Sequence, residues 1–132
     1  MILLDANVVL DVWNPDPTWQ AWSCNQLRVL SVLHELAVNP IVYAEISVSF
    51  ATPTALDEKL EDLGILVENI PRRAAFLAGK AYVHYRRKGG TKSNVLADLF
   101  IGAHAAVLGC PLLTRDTRRY SAYFPSVRLI AP

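Results

Sequence analysis

The sequence predicts a single α/β domain, a three-layer α/β/α arrangement in which a mainly parallel sheet of about five short strands lies between helices. Two observations predict this fold class. Short apolar runs without polar alternation, which are typical of buried parallel strands, recur along the chain, and segments with helical spacing separate most of them. With 132 residues, of which 52% are hydrophobic and 19% charged, the chain is expected to form one packed domain over residues 1–132.

The individual strands and helices follow from these runs. The predicted strands are residues 2–4, 36–38, 65–67, 111–114 and 127–130. The predicted helices are residues 7–12, 18 to about 33, 40 to about 50, 55–63, 71 to about 87 and 96–108.

Residues with strong positional preferences mark several helix ends. Asn39-Pro40 supplies an N-cap and a first-turn proline for the third predicted helix. Thr54 with Asp57 resembles a weak capping pair for the fourth. Gly109 is expected to end the last helix, and the Asn14-Pro15 step to stop the first.

Charge is distributed unevenly, although the net charge is only +1. Residues 1–68 contain two bases against ten acids, a net −8, and residues 69–132 contain eleven bases against two acids, a net +9. A basic segment indicates a polyanionic partner such as nucleic acid. An ordinary solvated surface is the alternative, because the halves of a sequence need not be faces of a fold.

Composition argues against several other classes. No apolar run approaches the roughly 18 residues that a membrane span needs, and the start MILLD lacks the basic segment of a signal peptide. Cys24 and Cys110 are the only cysteines. They are expected to be reduced, buried thiols of a cytoplasmic protein, and no His/Cys spacing predicts zinc.

Four carboxylates interrupt apolar segments at informative places. Asp5 follows the first predicted strand and Asp116 the fourth, and ligands of such folds bind beyond the carboxyl ends of the strands, near the switch in strand order. Asp98 lies in the first turn of an almost wholly apolar helix, and Glu45 is the only acid on its helix.

A cluster of these acids would suit divalent cations. Mutual repulsion would raise some of their pKa values, and Mg²⁺ or Mn²⁺ would neutralise the charge with hard oxygen ligands. Two such ions suit in-line displacement at phosphorus. Each acid also has an ordinary explanation, namely a helix dipole, a turn, a surface ion pair or backbone N–H groups. One predicted cleft explains all four positions together.

At these positions the sequence resembles the PIN-domain ribonucleases, and among them the VapC-like toxins of bacterial toxin–antitoxin pairs. The matching stretches are ILLDANVVLD, NPIVYAEIS, LADLFIGAHA and LLTRDTRRYSAYFPSVRLIAP, at residues 2–11, 39–47, 96–105 and 112–132. Each contains its acid, and their order and the chain length also fit. One departure is the run Ser-Asn-Val-Leu-Ala before Asp98, where the family usually has a proline close to the acid.

The resemblance implies a Mg²⁺- or Mn²⁺-dependent endoribonuclease. The implied metal-binding and catalytic acids are Asp5, Glu45, Asp98 and Asp116. Asn7 and Thr114 would support them through hydrogen bonds to carboxylates or metal-bound water. The resemblance further implies a structured RNA substrate such as tRNA or rRNA, cleaved to a 5′-phosphate and a 3′-hydroxyl. It also implies a homodimer and a neutralising antitoxin.

Basic residues near the acids are candidate contacts to the RNA backbone, with solvated surface as the alternative for each. Arg115 is the first candidate because it adjoins Asp116. The others are Arg118, Arg86, Arg87 and Lys92.

Aromatic residues and one histidine are assigned mainly to packing. Base stacking is the alternative for three residues that are expected to pack against the last strand, Tyr120, Tyr123 and Phe124. Either the core or a dimer or antitoxin surface accounts for Trp13, Trp19 and Trp22. His104 is expected to be a satisfied core or interface histidine.

Two other functions remain open. One is a non-catalytic module that binds RNA or a partner protein, which the intact set of four acids disfavours. The other is a phosphate-transfer enzyme with an aspartyl nucleophile. Such enzymes often have a second aspartate two residues after the first, where this chain has Asn7.

Overall fold

The computed structural model describes residues 1–14 and 16–132, and it contains five parallel strands flanked by helices. The strands are β1 Ile2–Leu4, β2 Leu36–Val38, β3 Ile65–Val67, β4 Leu112–Leu113 and β5 Leu129–Ile130. The helices are α1 Ala6–Trp13, α2 Gln20–Leu30, α3 Pro40–Ser47, α4 Pro53–Asp62, α5 Arg72–Arg87, α6 Val95–Leu108 and α7 Arg118–Tyr123. The three-layer α/β/α prediction is confirmed. Helix α1 ends at Trp13 with Asn14 as its C-cap, as expected for the Asn14-Pro15 step, and Pro15 itself lies outside the described residues.

The sheet has the order β3-β2-β1-β4-β5, so β1 is its central strand. Leu3 is paired with Ala37 of β2 on one side and with Leu112 of β4 on the other. All three residues of β1 are buried, which explains why the strand has no polar alternation. The chain moves outward from β1 in both directions, so the switch in strand order lies between β1 and β4.

The helix caps are mostly where the sequence places them. The Asn39 side chain accepts a hydrogen bond from the Val42 amide at 3.0 Å, and Pro40 occupies the first turn of α3. Gly109 ends α6 with a φ of 65°, a conformation that glycine adopts without strain. The capping prediction for α4 was wrong, because Thr52 and not Thr54 accepts the Ala55 amide, at 3.2 Å.

Helix α7 is the element that the sequence analysis missed. Tyr120 and Phe124 belong to this helical segment and pack against α6, whereas we expected them to pack against the last strand. A Cβ atom added at Gly102 of α6 would lie 2.3 Å from the Phe124 ring and 3.1 Å from the Tyr120 ring. The absence of a side chain at Gly102 therefore lets α7 approach α6 closely.

The buried polar side chains include His104 on α6. Its Nδ1 atom accepts a hydrogen bond from Asn39 Nδ2 at 3.2 Å, because the amide oxygen of Asn39 already caps α3. The Nε2 atom of His104 is buried without a partner among the described residues. The contact with Asn39 ties α6 to the start of α3. His104 is therefore a core residue, as expected, but in the described parts of the chain only one of its two ring nitrogens is satisfied.

Other sequence expectations concern cysteines and membranes. Cys24 and Cys110 are free thiols, but both are only partly buried, whereas we expected buried ones. None of the helices in the described parts of the chain is long and apolar enough to cross a membrane.

Candidate metal and nucleic-acid site

Asp5 lies at the carboxyl end of the central strand and caps α1. Its Oδ1 atom accepts the Ala6 amide at 2.8 Å. Its Oδ2 atom accepts hydrogen bonds from Thr114 Oγ1 at 2.7 Å, Tyr120 OH at 3.0 Å and Asn7 Nδ2 at 3.3 Å. The side chain is only 6% exposed. Every donor is neutral, so Asp5 is fully hydrogen-bonded but has no counter-charge among these contacts.

The two predicted supporting residues join the strand ends around Asp5. Besides donating to Asp5, Thr114 accepts the Asp116 amide at 3.0 Å. Asn7 accepts the Arg115 amide at 3.2 Å through its side-chain oxygen. These bonds hold the segment after β4 against the end of β1.

Tyr120 is a site residue that the sequence analysis assigned to packing alone. It is 1% exposed, and its hydroxyl donates to Asp5. Burial, followed by the charges of Asp5 and Asp98, raises the pKa of Tyr120 far above its usual value. Tyr120 therefore stays protonated and remains a donor. The spacing of Tyr120, Tyr123 and Phe124 was the available signal, because residues three and four apart share a helix face.

The acids influence one another through their charges. Burial raises the pKa of Asp5, the bonds from Thr114 and Tyr120 oppose this shift, and the charge of Asp98 adds to it. Glu45 is exposed on α3, but desolvation by the surrounding chain, followed by the charges of Asp5 and Asp98, raises its pKa to about 7. Burial also raises the pKa of Asp98, against the effect of Arg119, and the charge of Asp116 adds to it. The structure therefore brings the predicted acids into one electrostatic cluster.

Asp98 already has a cationic partner in this structure. Nη1 of Arg119, on α7, donates to Oδ2 of Asp98 and forms an ion pair with it. Over the described residues, no three His, Cys, Asp or Glu side chains are arranged so that they hold a metal ion. The cluster fits a hard divalent cation in ligand type and in negative charge. Asp98 would exchange Arg119 for such an ion.

Asp116 is exposed, and its carboxylate also has a local role. Its Oδ1 atom accepts the Arg118 amide at 3.2 Å at the start of α7. This bond forms a turn, and a turn was the alternative to metal binding for Asp116. The charge of Asp116 still contributes to the shift of Asp98.

The structure gives Arg115 an internal partner. Its Nε atom lies 2.8 Å from Asp11 Oδ2, and its Nη2 atom lies 3.0 Å from Asp11 Oδ1. Ser23 also donates to Asp11, at 2.6 Å, and the guanidinium lies 5.2 Å from the centre of the Trp19 ring. This bidentate pair occupies the Arg115 guanidinium, and the role of Arg115 as an RNA contact stays a prediction. Neither Asp11 nor Ser23 was recognised in the sequence.

The other candidate RNA contacts, Arg118, Arg86, Arg87 and Lys92, are exposed. Arg86 and Arg87 lie at the end of α5, and Lys92 lies in the loop before α6. Their exposure fits either RNA contact or a solvated surface, the two alternatives of the sequence analysis.

The three tryptophans make contacts within the chain. Trp13 packs edge-on against Phe50, with ring centres 5.1 Å apart. Trp22 packs against the core and lies 6.4 Å from Trp19, which in turn supports Arg115. All three are partly buried. Packing within the chain, and not a dimer or antitoxin surface, therefore accounts for most of their surface.

Comparison with solved structures finds proteins of the same fold. Similar structures include VapBC2 from Rickettsia felis bound to a promoter DNA fragment, with a TM-score of 0.73 and 22% identity over 100% of this chain and 99% of that one. FitAcB from Neisseria gonorrhoeae has a TM-score of 0.66 and 24% identity over 100% and 98%. A toxin–antitoxin complex from Klebsiella pneumoniae has a TM-score of 0.67 and 20% identity over 100% and 98%.

These identities are low, so the likenesses establish the fold. No curated protein sequence matches the chain significantly. The sequence model of the PIN domain, in contrast, matches residues 2–125. Nearly the whole chain is covered, and the chain therefore belongs to the PIN domain family.

Proposed function

We propose that this chain is a metal-dependent endoribonuclease and the toxin of a toxin–antitoxin pair. Its substrate would be a structured RNA such as tRNA or rRNA, cleaved by a two-metal-type mechanism. Membership of the PIN domain family supports the nuclease, and the structural likeness to toxin–antitoxin complexes supports the pair.

The environment of Asp5 carries the proposal. The carboxylate lies at the switch in strand order, where open α/β sheets bind their ligands. It is buried, it has only neutral donors, and the charge of Asp98 acts on it. A buried negative charge without a counter-charge is costly. A divalent cation would remove that cost, which explains why the fold maintains an acid at this position.

Asp5, Glu45, Asp98 and Asp116 are the residues that would hold Mg²⁺ or Mn²⁺. The ions would supply an activated water and would stabilise charge on the leaving oxygen. The chain itself fixes Asp5 through Thr114, Tyr120 and Asn7. Asp5 thus needs little reorganisation when it binds a ligand.

RNA and protein partners complete the proposal. Arg118, Arg86, Arg87 and Lys92 would bind phosphates of the RNA backbone. A cognate antitoxin and a second copy of this chain would bind as protein partners in the cytoplasm. Exposed apolar side chains support such contacts, and the largest exposed fractions are 84% for Leu33, 83% for Val48 and 77% for Val32.

The test is RNA cleavage by an Asp5→Asn variant in millimolar Mg²⁺. We expect cleavage of total bacterial RNA to fall by roughly a thousandfold, since metal-dependent charge stabilisation contributes several kcal/mol to the barrier. Sequencing of RNA ends would identify the substrate and the 5′-phosphate. Asp62→Asn, at an exposed acid at the end of α4, is the matched control and should cleave normally. Undiminished cleavage by Asp5→Asn would contradict the proposal.

A catalytically silent PIN module is the second candidate, and one observation favours it. Arg119 neutralises Asp98, so the described acids are not assembled around a cation position. Under this alternative, the wild type binds RNA but does not cleave it in either Mg²⁺ or Mn²⁺. The same cleavage assay therefore separates the two candidates.

A further inference from the structure

A cleft of about 370 Å³ opens beside the acid cluster, between the end of α5 and helix α7. Its lining residues are Tyr85, Asp116, Arg118, Arg119, Ala122 and Tyr123. Arg119 also pairs with Asp98. Asp116 lines the cleft, and Asp98 is paired with one of the lining residues, so a ligand in the cleft lies close to acids that would bind metal.

The aromatic wall of this cleft is held in place by packing. The Tyr85 ring stacks on Tyr82, with centres 6.3 Å apart and planes 28° apart, and it meets Tyr123 edge-on at 6.5 Å. The Tyr85 hydroxyl accepts the Lys92 amide at 3.2 Å. A Cβ atom at Gly90 would lie 2.4 Å from the Tyr85 ring, so the loop before α6 lies directly against it. Tyr85 and Tyr123 remain partly exposed, and a ligand can reach their rings.

Arginines supply the positive charge of the cleft. Arg118 is exposed, and within the described parts of the chain it has no ion-pair partner. Arg119 also lines the cleft but is paired with Asp98, and Asp116 places one negative charge on the same wall. Two aromatic rings suit a planar apolar group, and a cation suits an anion. A nucleotide carries both groups, and the volume lies in the range of small-ligand sites.

We propose that this cleft binds one nucleotide of a single-stranded RNA segment next to the cleaved bond. The base contacts Tyr85 and Tyr123, and a backbone phosphate contacts Arg118. Stacking on aromatic side chains is the usual way in which proteins hold unpaired bases. The inference rests on the proposed function, because it assigns two aromatic residues, Tyr85 and Tyr123, to substrate binding beside that site.

The test uses a short single-stranded oligoribonucleotide that carries 2-aminopurine at successive positions, in EDTA so that cleavage does not occur. Stacking quenches 2-aminopurine, and fluorescence anisotropy of an end label gives the Kd. Tyr85→Leu and Tyr123→Leu should each weaken binding about tenfold, in line with the contribution of one stacked base. They should also reduce the quench at saturation.

Conservative and matched variants exclude a general loss of structure. Tyr85→Phe and Tyr123→Phe keep the rings and should bind and quench like the wild type. Phe76→Leu removes an aromatic ring from the same helix, at a side chain that is 69% exposed and outside the cleft, and it should change neither signal. Arg118→Gln should weaken binding and lower the salt dependence by about one phosphate contact, while the saturating quench remains.

Two results would overturn the inference. One is wild-type binding and quenching by both tyrosine-to-leucine variants, and the other is a wild type that never quenches the probe. Failure of the proposed function gives a different pattern. If Asp5→Asn still cleaves RNA in Mg²⁺, the nuclease mechanism is wrong. If cleavage depends on Asp5 but both leucine variants bind normally, only the assignment of the nucleotide cleft is wrong.

Discussion

Asp5 and Asp11 lie at the two ends of helix α1, and both are buried, with 6% and 3% of their surface exposed. Their partners differ. Asp11 binds the Arg115 guanidinium with both oxygens and accepts a bond from Ser23. Asp5 accepts four bonds from neutral groups, and the charge of Asp98 raises its pKa further.

This difference separates a structural acid from a candidate functional one. The Asp11 charge is neutralised within the chain, and its ion pair joins α1 to the segment after β4. The Asp5 charge is hydrogen-bonded but not neutralised. Burial and hydrogen bonding alone do not distinguish the two acids. What distinguishes them among the described residues is a cationic side chain, which Asp11 has as a partner and Asp5 does not.

The largest expected difference is in stability without metal. Asp11→Asn removes one partner of a buried ion pair and leaves Arg115 unpaired, so the free energy of unfolding should fall by about 3 kcal/mol. Asp5→Asn removes a charge that has no counter-charge, and the hydroxyls of Thr114 and Tyr120 can rotate to accept from the new amide. We expect a change of at most about 1 kcal/mol. Urea unfolding in EDTA measures both values.

Equal losses in the two variants would break the comparison. They would show that the hydrogen bonds of Asp5 stabilise the fold as much as the ion pair of Asp11 does. A larger loss for Asp5→Asn would mean that its carboxylate is mainly a structural group.

The second prediction concerns the binding of Mg²⁺ to the acid cluster. Mg²⁺ at ten times its Kd should stabilise the wild type by about 1.4 kcal/mol, or roughly 4 °C in Tm. Arg119→Gln leaves Asp98 free to bind the cation. The Mg²⁺ concentration at which this variant is half-saturated should therefore fall by about two- to fivefold, as expected for a partly exposed ion pair. Thermal unfolding across a Mg²⁺ titration measures the midpoint.

Arg118→Gln is the matched control for Arg119→Gln, because it removes a neighbouring positive charge that has no ion-pair partner in the described parts of the chain. It should move the midpoint less than Arg119→Gln does. A higher Mg²⁺ requirement in Arg119→Gln would show that Arg119 organises the site instead of competing with the cation.

The sequence was sufficient for the parts of the structure that depend on local pattern. Uniform apolar runs predicted β1, β2 and β3 at their observed positions. Strands β1 and β2 are fully buried, which explains why they contain no polar alternation. In the edge strand β3, Leu66 and Val67 are each 46% exposed. The site acids Asp5 and Asp116 follow strand ends in the sequence itself. Asn7 and Thr114 were found through the family resemblance, and the structure places both in contact with Asp5.

The missed features depend on contacts between distant residues. The partner of Asp11 is 104 positions away, and the partner of Tyr120 is 115 positions away. Nothing local distinguishes Arg115, which is paired, from Arg118, which is exposed. Helix α7 was missed because its six residues are too short for a clear periodic pattern.

The smallest expected effect is the pH dependence of the metal-free protein. The pKa of Glu45 is about 7 in the folded chain against an ordinary 4.5. Between these values the folded state keeps a proton that the unfolded state has released. The free energy of unfolding therefore falls as the pH rises from 4.5 to about 7. The raised pKa values of Asp5 and Asp98 act in the same direction.

Glu45→Gln should flatten this decline, and Tm values in EDTA from pH 4.5 to 7 measure it. His104 works in the opposite direction, because burial lowers its pKa, but it is the same in both proteins and cancels in their difference. Glu58→Gln, at an exposed residue of α4, should keep the wild-type slope. Parallel curves for wild type and Glu45→Gln would remove Glu45 from the acid cluster. The charge without a counter-charge would then be confined to Asp5, because Arg119 pairs with Asp98.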